Sequence, residues 1–377
     1  PEYTQTIVHV NDASRAVTVI NNLLQPDKNK IYKEDIRAEY EKLRYDFLHR
    51  ARDKKYLSIA DARKNKYKID WESQQIVKPN FLGKKQVSVE LWELVPYIDW
   101  TPFFRSWQLF GKYPEILTDD IIGEESTILF AEAQEMLKKI VSEKWFEAKG
   151  IIGIYKANQV NDDDVELLDE NDKTIATLLT LRQQAHKSGS VPNIALADFI
   201  APKSAGISDY VGLFCVSTGF GVEEKAKDYE NAQDDYNSIM VKALGDRLAE
   251  AFAEYLHEKV RKEIWGYSVA EQLTNDDLIK ESYEGIRPAP GYPACPDHLE
   301  KNTIWDVLNV ADEIGVTLTE SLAMWPASSV SGYYFGNKEA KYFGVGKIKN
   351  DQVEDYARRR NISFQEAAKW LGPNINE

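Results

Sequence analysis

The sequence predicts an α+β fold, in which a partly antiparallel twisted sheet is flanked by helices, and excludes a Rossmann arrangement. Three observations carry this. Strand-like runs are joined sometimes by a polar turn and sometimes by a helix, without the regular alternation that builds a parallel sheet. One helical pattern, residues 234–265, is far longer than the others in the main body. A strand, G-x-G-x-x-G turn and helix in succession are missing, since Gly219-Phe220-Gly221 has no third glycine.

Taken in order, residues 6–10 alternate like a strand, and Asn11-Asp12-Ala13-Ser14 reads as the cap of a helix ending at Leu24. Residues 25–70 turn highly charged and read as a helical linker, with Ile36, Tyr40, Leu43 and Phe47 on one apolar stripe. The main body, residues 71–377, begins without periodicity and reaches its first regular element at Val87-Ser88-Val89-Glu90-Leu91. Residues 124–145 form a helix that is acidic at its start, with Ile128, Leu129, Ala133, Met136, Leu137 and Ile140 on one side. Strands at residues 151–155 and 165–168 flank Asn161-Asp162-Asp163-Asp164, a hairpin turn without calcium-loop spacing.

Residues 195–200 and 209–216 are further strand candidates. The long helix carries Met240, Val241, Leu244, Leu248, Phe252, Leu256, Val260 and Ile264 at three- and four-residue spacing, with Gly266 as its stop. Thr274-Asn275-Asp276-Asp277 opens a short helix closed by Gly285, which places Glu281 a turn ahead of a proline-rich run. Another helix runs from Thr303 to Gly315, two aromatic strands occupy residues 331–335 and 341–348, and a helical pair fills residues 351–371.

The formal net charge of −14 argues against nucleic acid or an anionic membrane as the partner, because either rewards a basic face. No run is long enough to span a bilayer and no signal-peptide pattern opens the chain, so a cytoplasmic protein is expected. Two cysteines, Cys215 in an apolar run and Cys295 among prolines, are too few for a disulfide framework and read as packing residues. His257 and His298 lack metal-ligand spacing and read as polar residues with satisfied hydrogen bonds. The phosphate-loop, HExxH and GxSxG patterns are all missing.

Candidate chemistry concentrates in Arg287-Pro288-Ala289-Pro290-Gly291-Tyr292-Pro293-Ala294-Cys295-Pro296. Proline fixes φ and has no N–H, so the carbonyls of Pro288, Pro290 and Pro293 are expected outside any ladder, facing water, a side chain or a ligand. Gly291 is free to take positive φ, and Arg287 offers a planar fork of donors suited to a carboxylate or phosphate. The alternative is a structural proline loop with Arg287 in a surface ion pair.

This run resembles the C-terminal, S-adenosylmethionine-binding activation domain of cobalamin-dependent methionine synthases, the methyltetrahydrofolate–homocysteine methyltransferases. The resemblance is carried also by Tyr97-Ile98-Asp99-Trp100-Thr101-Pro102-Phe103-Phe104, Asp234-Asp235-Tyr236-Asn237, Met324-Trp325-Pro326, Ser331-Gly332-Tyr333-Tyr334-Phe335 and Asp351-Gln352-Val353-Glu354-Asp355-Tyr356-Ala357. It covers the chain from about the seventies onward. Residues 1–24 are similar to the closing strand and helix of the cobalamin-binding module that precedes this domain, so a fragment is expected, with its apolar residues packed on the body or on a second copy. The Asp-x-His-x-x-Gly element that supplies a histidine to cobalt does not occur in the sequence.

The resemblance implies S-adenosylmethionine as the ligand. Arg287 would meet its carboxylate, Asp99 and Glu281 its amino or ribose groups, and Ala289 and Gly291 would supply main-chain contacts. Tyr342 and Phe343 match an aromatic pair lining the ligand; phenylalanine stands where tyrosine is usual, so a hydroxyl contact there is lost. Tyr292 would lie near the corrin, and Asp246 and Glu250 would face the cobalamin module. Without the resemblance, Asp99 reads as a turn cap, and Glu281, Asp246 and Glu250 as surface carboxylates.

The implied function is reductive methylation of inactive cob(II)alamin in methionine biosynthesis, with a flavodoxin-like or flavoprotein electron donor. No general base is needed, because the sulfonium is already a good leaving group. Cobalamin and zinc would belong to the cobalamin and homocysteine modules, which the chain lacks along with the folate module. Two rivals are a stand-alone small-molecule methyltransferase, which needs a base near the methyl, and an interaction domain that has lost the ligand.

Overall fold

The computed structural model describes residues 6–10, 13–52 and 55–376. The chain divides into two compact units, residues 1–56 and residues 57–377. In the first, helix α1 (Ala13–Leu24) and helix α2 (Pro26–Arg52) are separated only by Gln25. Pro26 explains the break, since proline suits the first helical position but disfavours helix in the residue before it. Residues 6–10 are not the expected strand. A strand needs a neighbour's backbone groups, and no described strand pairs with them. The cap residues Asn11 and Asp12 lie outside the described residues.

The second unit opens with α3 (Ile59–Lys64), inside the stretch expected to be linker. Ala62 is fully buried, Ile59 N–H donates to Asp351 (2.8 Å), and Arg63 bridges Asp163 (2.7 Å) and Asp355 (2.5 Å). These contacts tie residues 57–70 to the body, which the charge pattern alone could not show.

Strand β1 (Gly83–Ser88), helices α4 (Leu91–Leu94), α5 (Thr101–Ser106) and α6 (Gly123–Ser142), and strands β2 (Glu147–Val160), β3 (Asp164–Leu168), β4 (Thr174–Leu179) and β5 (Asp209–Phe220) follow. Then come α7 (Val222–Asn231), α8 (Asp235–Lys259), α9 (Asn275–Ile279), α10 (Glu300–Leu308) and α11 (Val310–Ile314). A two-strand ribbon of β6 (Thr317–Leu318) and β7 (Met324–Trp325), strand β8 (Ser329–Tyr334), and helices α12 (Asn350–Arg360) and α13 (Phe364–Leu371) complete the order.

The main sheet runs β4-β3-β2-β5-β8, with β1 also on β2, and every pairing is antiparallel. Both faces are covered, and the period-two alternation sorts side chains between them. Ile152, Phe214, Val216 and Tyr334 pack with α8 through Leu248 and Phe252. Ile151, Leu213, Cys215 and Tyr333 pack with α10 through Ile304 and Leu308. Small residues admit the helices: a Cβ on Gly150 would stand 3.0 Å from Phe252, and one on Gly153 2.6 Å from Leu308.

Two expected strands are not strands. Residues 196–199 form a 3-10 turn, held where Asp198 accepts from Ala195 N–H (3.0 Å) and binds Arg182. Residues 341–348 form an irregular segment, with Gly346 at φ 70°, paired only through one bridge, Ile348 with Ile375. The helix expected from Thr303 to Gly315 starts at Glu300 and is interrupted at Asn309, which takes a left-handed φ of 53°. Cys215 and Cys295 are both buried and free. Among the described residues no helix is long and apolar enough to cross a membrane.

Candidate functional site

The proline-rich run crosses the end of the sheet. Ile286 and Phe335 exchange backbone hydrogen bonds of 3.0 Å each way, and Tyr333 N–H donates to the Pro288 carbonyl (2.9 Å). The Pro293 carbonyl accepts from Val345 N–H (2.8 Å). Two of the three carbonyls expected to lack backbone partners are thus bonded to neighbouring main chain. The irregular segment 341–348 is held by this loop instead of by a sheet.

Between the loop and α8 lies a cavity of about 470 Å³. Its lining combines Arg287, two carboxylates from Glu250 and Glu281, and the aromatic side chains of Phe214, Tyr292, Tyr342 and Phe343. Pro288, Ala289, Pro293, Ala294 and Val330 complete the wall. Tyr292 is 59% exposed and stands at the mouth.

Arg287 is the best-anchored member. Its Nη2 donates to Glu254 (3.1 Å) and its backbone N–H to the Tyr342 hydroxyl (2.9 Å), which also meets the Tyr283 hydroxyl at 3.1 Å. Its Nη1 is buried without a hydrogen-bond partner. Burial works against the guanidinium charge, but Glu254, together with Tyr283, Tyr342 and Tyr334, outweighs it, so the pKa rises above the usual arginine value. An unmatched charged donor in a low-dielectric wall is costly unless an acceptor from outside meets it.

Glu281 does not sit on a helix as expected. α9 ends at Ile279, and Glu281 follows in the left-handed region with φ 54°, where glycine is usual after a helix. Burial raises its pKa, Arg287 lowers it and Glu254 raises it again. Burial is also the main cause of the raised pKa of Tyr342.

Other expected residues fall elsewhere. Asp99 lies outside the lining; its Oδ1 accepts from Thr101 N–H (2.9 Å) at the start of α5, the turn-cap role. Gly291 shapes the loop rather than lining the cavity. At φ 94° its N–H donates to the Cys295 carbonyl (2.7 Å), and a Cβ would stand 2.3 Å from the His298 ring. The Ala289 carbonyl accepts from Tyr292 N–H (3.1 Å). Asp246 is exposed on α8 and accepts from Ser328 Oγ (2.7 Å), while Glu250, one turn on, reaches the cavity.

Sequence reasoning missed Glu254 and the residues behind it. Residues 250, 254 and 257 on α8, and 261 in the π-helical turn Val260–Ile264 that continues it, follow one another at helical spacing as a polar stripe on a largely buried helix. That stripe was the available signal. His257 is fully buried and stacks on Tyr334 at 5.2 Å; its Nε2 meets the Tyr267 hydroxyl at 3.4 Å but Nδ1 has no partner, so it is only half satisfied, against the expectation. Its pKa is held well below the ordinary histidine value by burial, then by Arg261 and Arg287. His298 Nδ1 is likewise without a hydrogen-bond partner.

Residues 90–361 match the model of the vitamin B12 dependent methionine synthase activation domain. The crystal structure of the MetH reactivation domain bound to AdoHcy is 49% identical, with a TM-score of 0.83. That match covers 85% of this chain and 99% of the other. With such a match over most of its length, the chain belongs to the activation domains of vitamin B12-dependent methionine synthases.

Proposed function

We propose that the cavity beneath the proline loop binds S-adenosylmethionine and presents its methyl group to the cobalamin of a neighbouring module, as the step that returns inactive methionine synthase to its cycle. The observation that carries this is the buried, unpartnered Nη1 of Arg287 at a cavity that also holds Glu281 and aromatic walls. An amino acid carboxylate suits the free edge of the guanidinium. Glu281 supplies a carboxylate for the amino or ribose groups, and Tyr342, Phe343 and Phe214 supply apolar walls. The solved relative holds AdoHcy, the demethylated form of this ligand.

The chain's residues bind and orient; none is required to move a proton. Tyr292 at the mouth, with Glu250 and Asp246 along α8, forms the face on which a cobalamin module would dock. The cobalamin there would supply the cobalt that takes the methyl group, together with one electron from a flavodoxin-like donor. Asp99 stands outside the cavity lining, so a ligand contact for it requires that the pocket close toward α5.

Titration calorimetry with S-adenosylmethionine tests the reading. The wild-type chain should bind, and Arg287→Ala, while remaining folded, should bind more weakly by roughly 2–4 kcal/mol, the scale of a lost charge-assisted contact. Equal affinities would remove Arg287 from the site. Methyl transfer only when a cobalamin-loaded module is added would distinguish this domain from a stand-alone methyltransferase.

A further inference from the structure

We propose that Glu254 is a positioning residue for Arg287, and that the buried row Arg287–Glu254–Arg261–Glu271 gives the cavity its preference for ligands bearing an α-carboxylate. This rests on the reading of the cavity as an S-adenosylmethionine site and names the residues that set its selectivity.

The row alternates in sign and is nearly dry, with side-chain exposures of 16%, 14%, 0% and 8% from Arg287 to Glu271. Its far end is fixed first. Arg261 Nε donates to both carboxylate oxygens of Glu271 at 2.9 Å, and its Nη2 donates to Oε1 at 2.8 Å. This bidentate grip turns Arg261 Nη1 toward Glu254, 3.9 Å from Oε1. Glu254 in turn receives Arg287 Nη2 on its other oxygen at 3.1 Å.

A second route closes the same cluster. The Arg261 guanidinium lies over the Tyr283 ring at 4.4 Å, Tyr283 meets the Tyr342 hydroxyl, and that hydroxyl accepts from the Arg287 backbone N–H. Both the main chain and the side chain of the ligand-facing arginine are therefore held from one place. A guanidinium is planar, so fixing Nη2 also fixes where Nη1 points. The free donor is aimed before the ligand arrives, and less side-chain entropy is lost on binding.

Glu254 exerts two effects of opposite sign. Its hydrogen bond orients Arg287, which favours a carboxylate ligand; its negative charge lowers the local potential, which disfavours one. The 3.1 Å hydrogen bond to Arg287 favours orientation as the larger effect, with Arg261 backing Glu254 by charge across 3.9 Å rather than by a hydrogen bond. A comparison of S-adenosylmethionine with its decarboxylated analogue separates the two, because only the former engages Nη1.

The experiment measures both dissociation constants for the wild-type chain, Glu254→Ala and Glu254→Gln. Wild type should prefer S-adenosylmethionine, and Glu254→Ala should lower that preference at least about tenfold, equivalent to about 1.4 kcal/mol. Glu254→Gln keeps an acceptor for Arg287 and should fall between the two, although it loses the same charge. A preference that is unchanged or increased in Glu254→Ala overturns the proposal, as does equal weakening of both ligands, which would mark a structural role only. If the alanine variant does not fold, the glutamine variant decides alone: a selective loss for the carboxylate ligand supports the proposal, and an unchanged preference overturns it. A wild-type chain that binds both ligands equally, or neither, would instead sink the underlying reading of the cavity, whatever Glu254 does.

Discussion

At the scale of single residues, Glu281 shows a trade between stability and function. Its left-handed φ of 54° is unfavourable for any side chain with a Cβ, and glycine would relieve it. Glu281→Gly should therefore stabilise the fold by about 0.5–1 kcal/mol while weakening S-adenosylmethionine binding. Thermal denaturation and calorimetry on the same preparation check both halves. A variant that gains stability and keeps full affinity would show that the carboxylate faces the cavity without serving it. Such strain is an observed outlier from which a role is inferred. It was invisible in the sequence, where Thr274 and Gly285 bracket a plausible helix that would have held Glu281 in an ordinary conformation.

Among secondary-structure elements, the contact between β8 and the proline loop decides whether the cavity exists. A Cβ on Gly332 would stand 2.6 Å from the Pro288 carbonyl oxygen, a backbone atom that cannot rotate away. Gly332→Ala should push the loop off β8 and break the bond from Tyr333 N–H, costing about 1–3 kcal/mol of stability. Ligand affinity should fall as well, because Arg287 begins that loop. A variant with wild-type affinity would show that the loop is positioned mainly from its other side, through Pro293 and Val345.

The start of β5 carries a separate electrostatic signature. Asp209 is 5% exposed and accepts from Ala201 N–H (2.9 Å) and Tyr210 N–H (2.7 Å); burial nevertheless pushes its pKa up to about 6. Between the ordinary carboxylate value and about 6 the folded state holds more protons than the unfolded state, so this group's contribution to stability falls as pH rises through that window. The loss amounts to at most about 3 kcal/mol, and above pH 6 it levels off. Asp209→Asn should remove this slope from denaturation curves measured across the window, seen as a wild-type minus mutant difference. A flat difference would mean that the carboxylate titrates normally despite its burial.

The strands of the central sheet were legible because alternation and bulk dictated them: Ile151 and Ile152 must face opposite sides, and each found a helix. Residues 195–200 and 341–348 were not legible. Their apolar content matched a strand, but Asp198 drew the first into a turn around Arg182, and the Pro293 carbonyl took the Val345 N–H that a ladder would have used. Among the cavity's lining residues, Arg287 and Glu281 were legible from the motif at the loop, and Tyr342 from the resemblance carried by Lys341-Tyr342-Phe343-Gly344. Glu254 was hidden, because a carboxylate on a long helix looks solvated until the partner across from it is known.

For the molecule as a whole, the compact unit that holds the cavity begins at residue 57, ahead of the expected boundary at residue 71. The sequence placed residues 57–70 in a charged linker because Lys, Arg and Asp dominate them. Several of those charges are structural: Arg63 joins Asp163 and Asp355, and Lys66 meets Asp162 at 2.7 Å. Asp163 is fully buried and also binds Arg182, which is itself fully buried, so the network is in place before α3 is added, with α3 completing it. A chain cut to residues 57–377 should fold and bind S-adenosylmethionine as the full chain does, since every cavity residue lies at Phe214 or beyond. A chain cut to residues 71–377 loses Arg63 and the buried Ala62 and leaves Asp355 and Asp163 each short of a partner. Asp163 keeps Arg182 and Asp355 keeps Arg358 and Arg359, so what is lost is charge-assisted hydrogen bonds worth about 1.5–3 kcal/mol each, and the shorter fragment should unfold at lower denaturant concentration. Equal stability of the two fragments would return α3 to the linker and show that its ion pairs with the body contribute nothing to the fold.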